Sequence, residues 1–391
     1  MTTDDGPLVA NDEAFAHQIV ETHAHVAQAD RSWTEKVCAM AAARDGSLQV
    51  ALGVGKYANR NVFDGYAGVS RGREQWTVRA SRRLSDDADR IGAGPIDYEV
   101  IEPYRRVRFA CAANDAVPIA YEWIFEAAVP PLLERRDRLR ARPGTRLDAE
   151  VLRYHQMGLA SGWVEVEGVR SDITPDTWFT TRDHSWGIRQ DVGIPPGDIE
   201  GARRGGELPA GMSFRFSWSP MLLERADGTV YAIHHQHRLI RGFGYEETMV
   251  EGGVEHSDGK VERFAALHPE LRFDPVNRRI RGGTLHFTMA DGTTRPVSVE
   301  AMGDTGFHLG GGLYFGLDGH HHGEWRGALH VDGEHVDDCT DPATARRFHQ
   351  IRDAVLRVDD PIGGGRGWCN FQTTITGAWP DEGLDEETSF V

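Results

Sequence analysis

The run Trp178-Phe179-Thr180-Thr181-Arg182-Asp183-His184-Ser185-Trp186-Gly187-Ile188-Arg189 places two arginines, an aspartate, a histidine and two tryptophans in twelve positions. Burying so many ionisable groups in a strand is costly unless they pair. The run is therefore either an interlocked structural network or a site. Read as a strand, it puts Arg182, His184, Trp186 and Ile188 on one face, and Asp183, Ser185, Gly187 and Arg189 on the other. A carboxyl and an imidazole so placed can handle protons near neutral pH. Arg–Asp pairs beside an indole can equally do no more than lock a sheet to its neighbour.

Period-2 patterns dominate on both sides of this run. Trp33, Glu35, Val37, Ala39 and Ala41 alternate with polar or small neighbours, and 49–54, 75–80, 107–112, 163–167 and 213–218 read as further strands. Asp45-Gly46, Asp227-Gly228, Asp258-Gly259, Asp291-Gly292 and Asp332-Gly333 each separate two such runs, which predicts antiparallel hairpins. Helical signals are few. Asn11-Asp12-Glu13 resembles a helix start with an acidic first turn. Pro130-Pro131 could open a short charged helix, and Asp341-Pro342 has the cap-plus-proline form of another.

A chain of 391 residues exceeds one ordinary core, so two domains are expected. The expected layout is an N-terminal segment with a short helix (1–30), an N-terminal β domain (31–190), a linker (191–211), a C-terminal β-barrel domain (212–380) and a solvated acidic tail (381–391). The fold class is all-β: two antiparallel barrel or sandwich domains with few helices. A net charge of −17 argues against a nucleic-acid partner, and no apolar run is long enough to insert stably in a membrane. The four cysteines form no CxxC pair, which suits reduced thiols and a cytoplasmic protein. No GxSxG, P-loop, HExxH or dinucleotide motif occurs, so no cofactor is expected. A homodimer is compatible with these features.

Arg182-Asp183-His184-Ser185-Trp186-Gly187-Ile188-Arg189 resembles the RDxSWGxR signature of the hydroxyneurosporene synthase (carotenoid 1,2-hydratase) superfamily. Tyr154–Gly158, Ser161–Gly168 and Ser32–Glu35 resemble that family's neighbouring strands. The resemblance implies two lipocalin-like (calycin-like) domains, an elongated apolar ligand and catalysis without metal or nucleotide. His184 stands at a variable position of the signature.

The resulting expectation is a cofactor-independent enzyme for a hydrophobic small molecule (terpenoid, polyene or steroid-like). Its chemistry would be hydration–dehydration, isomerisation or cyclisation by acid–base steps. Asp183 and His184 would handle the proton, with Arg182 and Arg189 orienting them. Trp178, Trp186, Phe216, Trp218, His235, His237 and Tyr57 would line the substrate. Two alternatives stay open: a carrier of an apolar ligand without an acid or base in its cavity, and a metal enzyme using the His235–His237 pair.

Overall fold

The computed structural model describes residues 7–15, 17, 28–140, 147–194 and 210–389. The alternating patterns become strands throughout, and the protein is all-β. The first part of the chain supplies β1 (Trp33–Ala43), β2 (Gln49–Tyr57), β3 (Val62–Arg71), β4 (Glu74–Arg83), β5 (Gly92–Ala93), β6 (Ile96–Glu102), β7 (Arg106–Cys111), β8 (Ile119–Ala127), β9 (Leu132–Leu133), β10 (Asp137–Arg140), β11 (Leu147–Val166), β12 (Val169–Ile173) and β13 (Trp178–Ile188). The second part supplies β14 (Ser213–Arg225), β15 (Val230–Gly242), β16 (Tyr245–His256), β17 (Val261–Phe273), β18 (Ile280–Met289), β19 (Thr294–His308), β20 (Leu329–Val336), β21 (Arg352–Asp360) and β22 (Gly365–Thr376).

The first unit is a curled sheet in the order β20-β4-β3-β2-β1-β13-β11-β8-β7-β6-β5. The second is a closed barrel in the order β14-β15-β16-β17-β18-β19-β21-β22. Such an up-and-down closure of eight strands is the lipocalin plan, and it removes exposed edges. The barrel interior is filled by Met221, Ile233, Leu285, Phe287, Leu356 and Phe371 among others.

Several local expectations are corrected. No helix follows Pro130-Pro131; instead β9 and β10 both pair with β11. Asp332-Gly333 is no hairpin. It lies inside β20, where Asp332 accepts from Arg79, Arg326 and His330. This strand comes from the stretch expected in the second domain, yet it pairs with β4 of the first sheet. The acidic tail is anchored at points along it: Glu382 binds Arg215 and Leu384 is buried in the barrel cluster, while Asp381, Asp385, Glu386 and Glu387 are exposed. Most of the expected linker, 195–209, lies outside the described residues.

β13 is paired along its length with β1 on one side and β11 on the other. Gly187 adopts φ +140°, and a Cβ there would lie 2.0 Å from the Glu150 carbonyl oxygen, so only glycine lets β11 approach. The two units meet tightly. Three successive amides of β19, at Gly306, Phe307 and His308, donate to the side chains of Ser70, Gln49 and Gln75. A Cβ on Gly68 would fall 2.2 Å from the Phe307 ring. Gly68→Ala is accordingly expected to cost about 1–3 kcal/mol through overpacking. Urea denaturation checks this; an unchanged midpoint would contradict the close contact of the units.

Candidate functional site

The alternation of β13 sends its charged run into two environments. Arg182 and His184 point into the first unit. The Arg182 guanidinium clasps Glu13 through two bonds of 2.9 Å and also donates to Gln156. His184 Nε2 lies 3.0 Å from Glu35 Oε1. Its Nδ1 lies 3.1 Å from the Tyr154 hydroxyl, which in turn donates to Glu13. Phe15 stacks on the imidazole at 5.0 Å, and His17 stacks on Trp186 at 3.9 Å. Burial alone would depress the His184 pKa, but the bonds and charges of Glu13 and Glu35 raise it. Burial likewise opposes ionisation of Glu13, yet Arg182, His184 and Tyr154 hold its carboxyl well below the usual range. This face is a saturated ion-pair network with no accessible surface on the imidazole.

The opposite face of the same strand borders the barrel and forms a polar seam. Asp183 pairs with Arg153 at 3.3 Å. Beside it on β1 stand Cys38, opposite Asp183 in register, and Lys36, opposite Ser185. Cys38 Sγ lies 2.7 Å from the Tyr66 hydroxyl and 3.5 Å from that of Tyr314. The barrel contributes Asp353, which accepts from Gln372 at 3.0 Å. Although elements of both units surround them, Asp183 keeps 16% of its side chain accessible and Arg153 25%. Cys38, Tyr314, Arg189 and Gln372 are also half-buried. Part of the Asp183 side chain therefore remains reachable by water. Apolar clusters flank it, one containing Met157, Phe179, Leu222 and Val355 and the other Met40, Phe307 and Leu309.

Burial sets the protonation pattern of the seam. It raises the Asp183 pKa; Arg153 and Arg189 oppose the rise and Glu134 adds to it. It raises Asp353 to about 7, against hydrogen bonds from Gln372 and Asn370 and with the Asp183 charge reinforcing it. It lowers Lys36 to about 8, against the attraction of Asp64. It pushes the Cys38 thiol up to about 12, so this cysteine is not a thiolate nucleophile.

The remaining sequence candidates are spread out. Trp178 is buried in the first core and borders a surface depression of about 310 Å³ lined by Arg44, Ser171 and Asp176. Tyr57 is buried near Asp64, and its hydroxyl has no hydrogen-bond partner among the described residues. Phe216 is half-buried on β14. Trp218 reaches the seam and donates from Nε1 to Glu134 at 3.0 Å. His235 and His237 share a face as expected, but that face lies inside the barrel, where His235 bonds Ser217 and burial keeps both imidazoles neutral. They do not join the 320–322 histidines, of which His322 meets Lys36 and Asp64 instead.

Sequence reasoning missed Glu13, Glu35, Glu134, Lys36, Arg153 and Asp353. Glu13 was legible only as a helix-start acid. Among the described residues three groups have metal-ligand chemistry within 4.8 Å: His17–Glu35–His184 and Glu134–His155–His234, both largely buried, and the more exposed Glu74–His335–Asp337. In the second, His155 holds Glu134 at 2.9 Å with Nδ1 and Glu255 at 2.8 Å with Nε2. The raised pKa values of His155 and His184 favour the doubly protonated form, which has no lone pair for a cation. His155 and His184 are thus accounted for by ion pairing, whereas the two buried nitrogens of His234 have no hydrogen-bond partner among the described residues.

His155 also supplies a pH prediction. Burial would lower its pKa, but Glu255 and Glu134 push it up from 6.5 to about 10. A raised folded-state value stabilises fully below the unfolded value and is lost as pH rises through the folded one. Stability should therefore fall between about pH 6.5 and 10, and His155→Gln should flatten that slope in urea titrations. An equal slope in the variant would contradict the ion-pair assignment.

No curated protein sequence matches the chain. Its structure is similar to that of an AttH-like protein from Nitrosomonas europaea, with a TM-score of 0.49 and 13% identity over 88% of this chain and 92% of that one. It is also similar to CghA crystallised with Sch210972, with a TM-score of 0.45 and 11% identity over 88% of each chain. A third similar structure is kievitone hydratase from Nectria haematococca, with a TM-score of 0.36 and 8% identity over 87% and 88%. A family of unknown function (DUF8625) matches residues 8–375, and the chain belongs to that family.

Proposed function

We propose that the protein is an acid–base enzyme that removes water from, or adds it to, a small molecule held in the seam between sheet and barrel, with Asp183 as the acid. The observation that carries this reading is Asp183 itself: a side chain that keeps 16% of its surface accessible, paired with Arg153 at 3.3 Å and opposite Cys38 in the β1–β13 register. Its raised pKa favours the protonated form needed by an acid. In dehydration, the Asp183 proton passes to the substrate hydroxyl, which leaves as water. The carboxylate then takes a proton from the adjacent carbon, and a double bond forms. Arg153 and Arg189 stabilise the transient carboxylate by charge. Hydration runs the same steps backwards. The flanking apolar clusters suit a substrate with a hydrophobic body. His184 lies on the far face of β13 and takes no part in the proposed step. Trp186 and Trp218 are engaged with His17 and Glu134, so a role for them in stabilising a carbocation is not part of it.

The test is incubation in ¹⁸O-labelled water with tertiary alcohols, β-hydroxy ketones, enones and trisubstituted alkenes of increasing apolar size, read by mass spectrometry. Label uptake should occur in at least one class. Asp183→Asn should reduce it by about 100-fold or more with the fold retained. Full activity in that variant, or no uptake in any class, would contradict the assignment.

A further inference from the structure

Two cations on the wall of the seam have no carboxylate partner. No carboxylate oxygen among the described residues lies within 4.0 Å of the Arg189 guanidinium or of Lys36 Nζ. Arg189 donates from Nη2 to the Ser185 hydroxyl, while its buried Nε has no acceptor among the described residues. Lys36 is 5% exposed. Its Nζ lies 3.1 Å from His322 Nε2 and 4.4 Å from the centre of the Tyr314 ring. Burial keeps that histidine neutral, so its nitrogen accepts from the lysine and adds no negative charge. The two residues belong to one patch. Ser185, which Arg189 grips, is opposite Lys36 in the β1–β13 register, and its hydroxyl bonds the Lys36 carbonyl. Lys36 senses the charge of Arg189, and both sense that of Asp183.

Burying a guanidinium and an ammonium in one patch is costly, and the charges of Asp64 and Asp183 do not offset it: both cations stay below their ordinary pKa. Elsewhere in this protein the buried arginines that face carboxylates are satisfied: Arg182 by Glu13 and Arg295 by Asp360. The negative groups that act on this pair, Asp64 and Asp183, lie more than 4.0 Å from its nitrogens. Asp183 is on Arg153, and Asp64 accepts from the Gly323 amide at 2.7 Å. A planar oxyanion matches the forked donors of Arg189, and an ammonium beside it adds charge without demanding geometry.

We infer that Arg189 and Lys36 form a subsite for an organic carboxylate, so that the molecule acted on by Asp183 is an acid whose carboxylate is gripped beside the reacting carbon. This inference rests on the seam being the reaction site. It turns the expected purely apolar ligand into an amphipathic one, with an oily body on the flanking clusters and an anionic head at the two cations.

The probes are matched pairs: acetate and acetamide, benzoate and benzamide, 2-naphthoate and 2-naphthamide. Each is titrated into the full-length protein by calorimetry at low ionic strength. At least one carboxylate should bind 10-fold or more tightly than its amide. Arg189→Gln and Lys36→Met should each reduce that preference at least 5-fold. A second measurement uses the wild-type protein, where phenylglyoxal labelling of Arg189, read by peptide mass spectrometry, should be blocked by the carboxylate and not by the amide. Asp183→Asn should keep carboxylate binding, because it leaves both cations in place. Equal binding within every pair, or a preference that survives both variants, overturns the subsite. Labelling of Arg189 that the tightest carboxylate leaves unchanged overturns it as well. Such a failure with intact dependence of turnover on Asp183 leaves the acid in place; loss of that dependence with an intact anion preference overturns the acid alone.

Discussion

Side-chain alternation along a doubly paired strand is the constraint on which the rest depends. β13 is held on both edges, so its register cannot slip without sending every side chain to the wrong face. That constraint separates Arg182 and His184 from Asp183 and Ser185, although they are adjacent in sequence. One set closes a network with Glu13, Glu35 and Tyr154 inside the first unit. The other meets the barrel and remains partly open to water. The same charged run is therefore both of the things its composition suggested, a structural lock on one face and a candidate site on the other.

The lock has a structural consequence for the first unit. Glu13 belongs to the short 3-10 turn Ala10–Glu13, and its carboxylate is wholly buried against Arg182. Removing either partner would strand a charge in a dry interior, a loss of about 3–5 kcal/mol. The N-terminal segment is thus tied to the centre of the sheet, with Phe15 and His17 stacked over the β13 rings. That coverage takes His184 out of contact with the seam and leaves its protonation to serve stability.

The fold class was legible because period-2 alternation and Asp-Gly turns are local signals. Four of the five expected turns fall between consecutive strands. The fifth failed because Asp332 is gripped by Arg79 and Arg326, side chains whose role no local rule exposes. The two faces of β13 were legible for the same local reason. What covers each face was not: Glu13, Glu35, Lys36 and Asp353 come from segments about 150–170 residues away, and pairing at that range leaves no spacing signature. His235 and His237 did share a face, but whether it looks into a barrel or toward a neighbouring sheet is a matter of closure, which alternation alone does not decide. The seam is also more charged than an apolar ligand would require, because Lys36 and Arg153 sit at strand positions that read as ordinary polar alternation.

The chemistry assigned to the seam depends on one property, a carboxyl that burial keeps protonated at higher pH than an exposed aspartate. Burial drives that shift; Arg153, Arg189 and Lys36 pull against it, and the like charge of Glu134 pushes with it. The direct measurement is a ¹³C-carboxyl NMR titration of the wild-type protein, with the Asp183 resonance assigned from its loss in Asp183→Asn. The account predicts a midpoint above the ordinary aspartate value of 3.8. A midpoint at or below that value would mean that the arginines win, and that Asp183 is a structural anion rather than an acid.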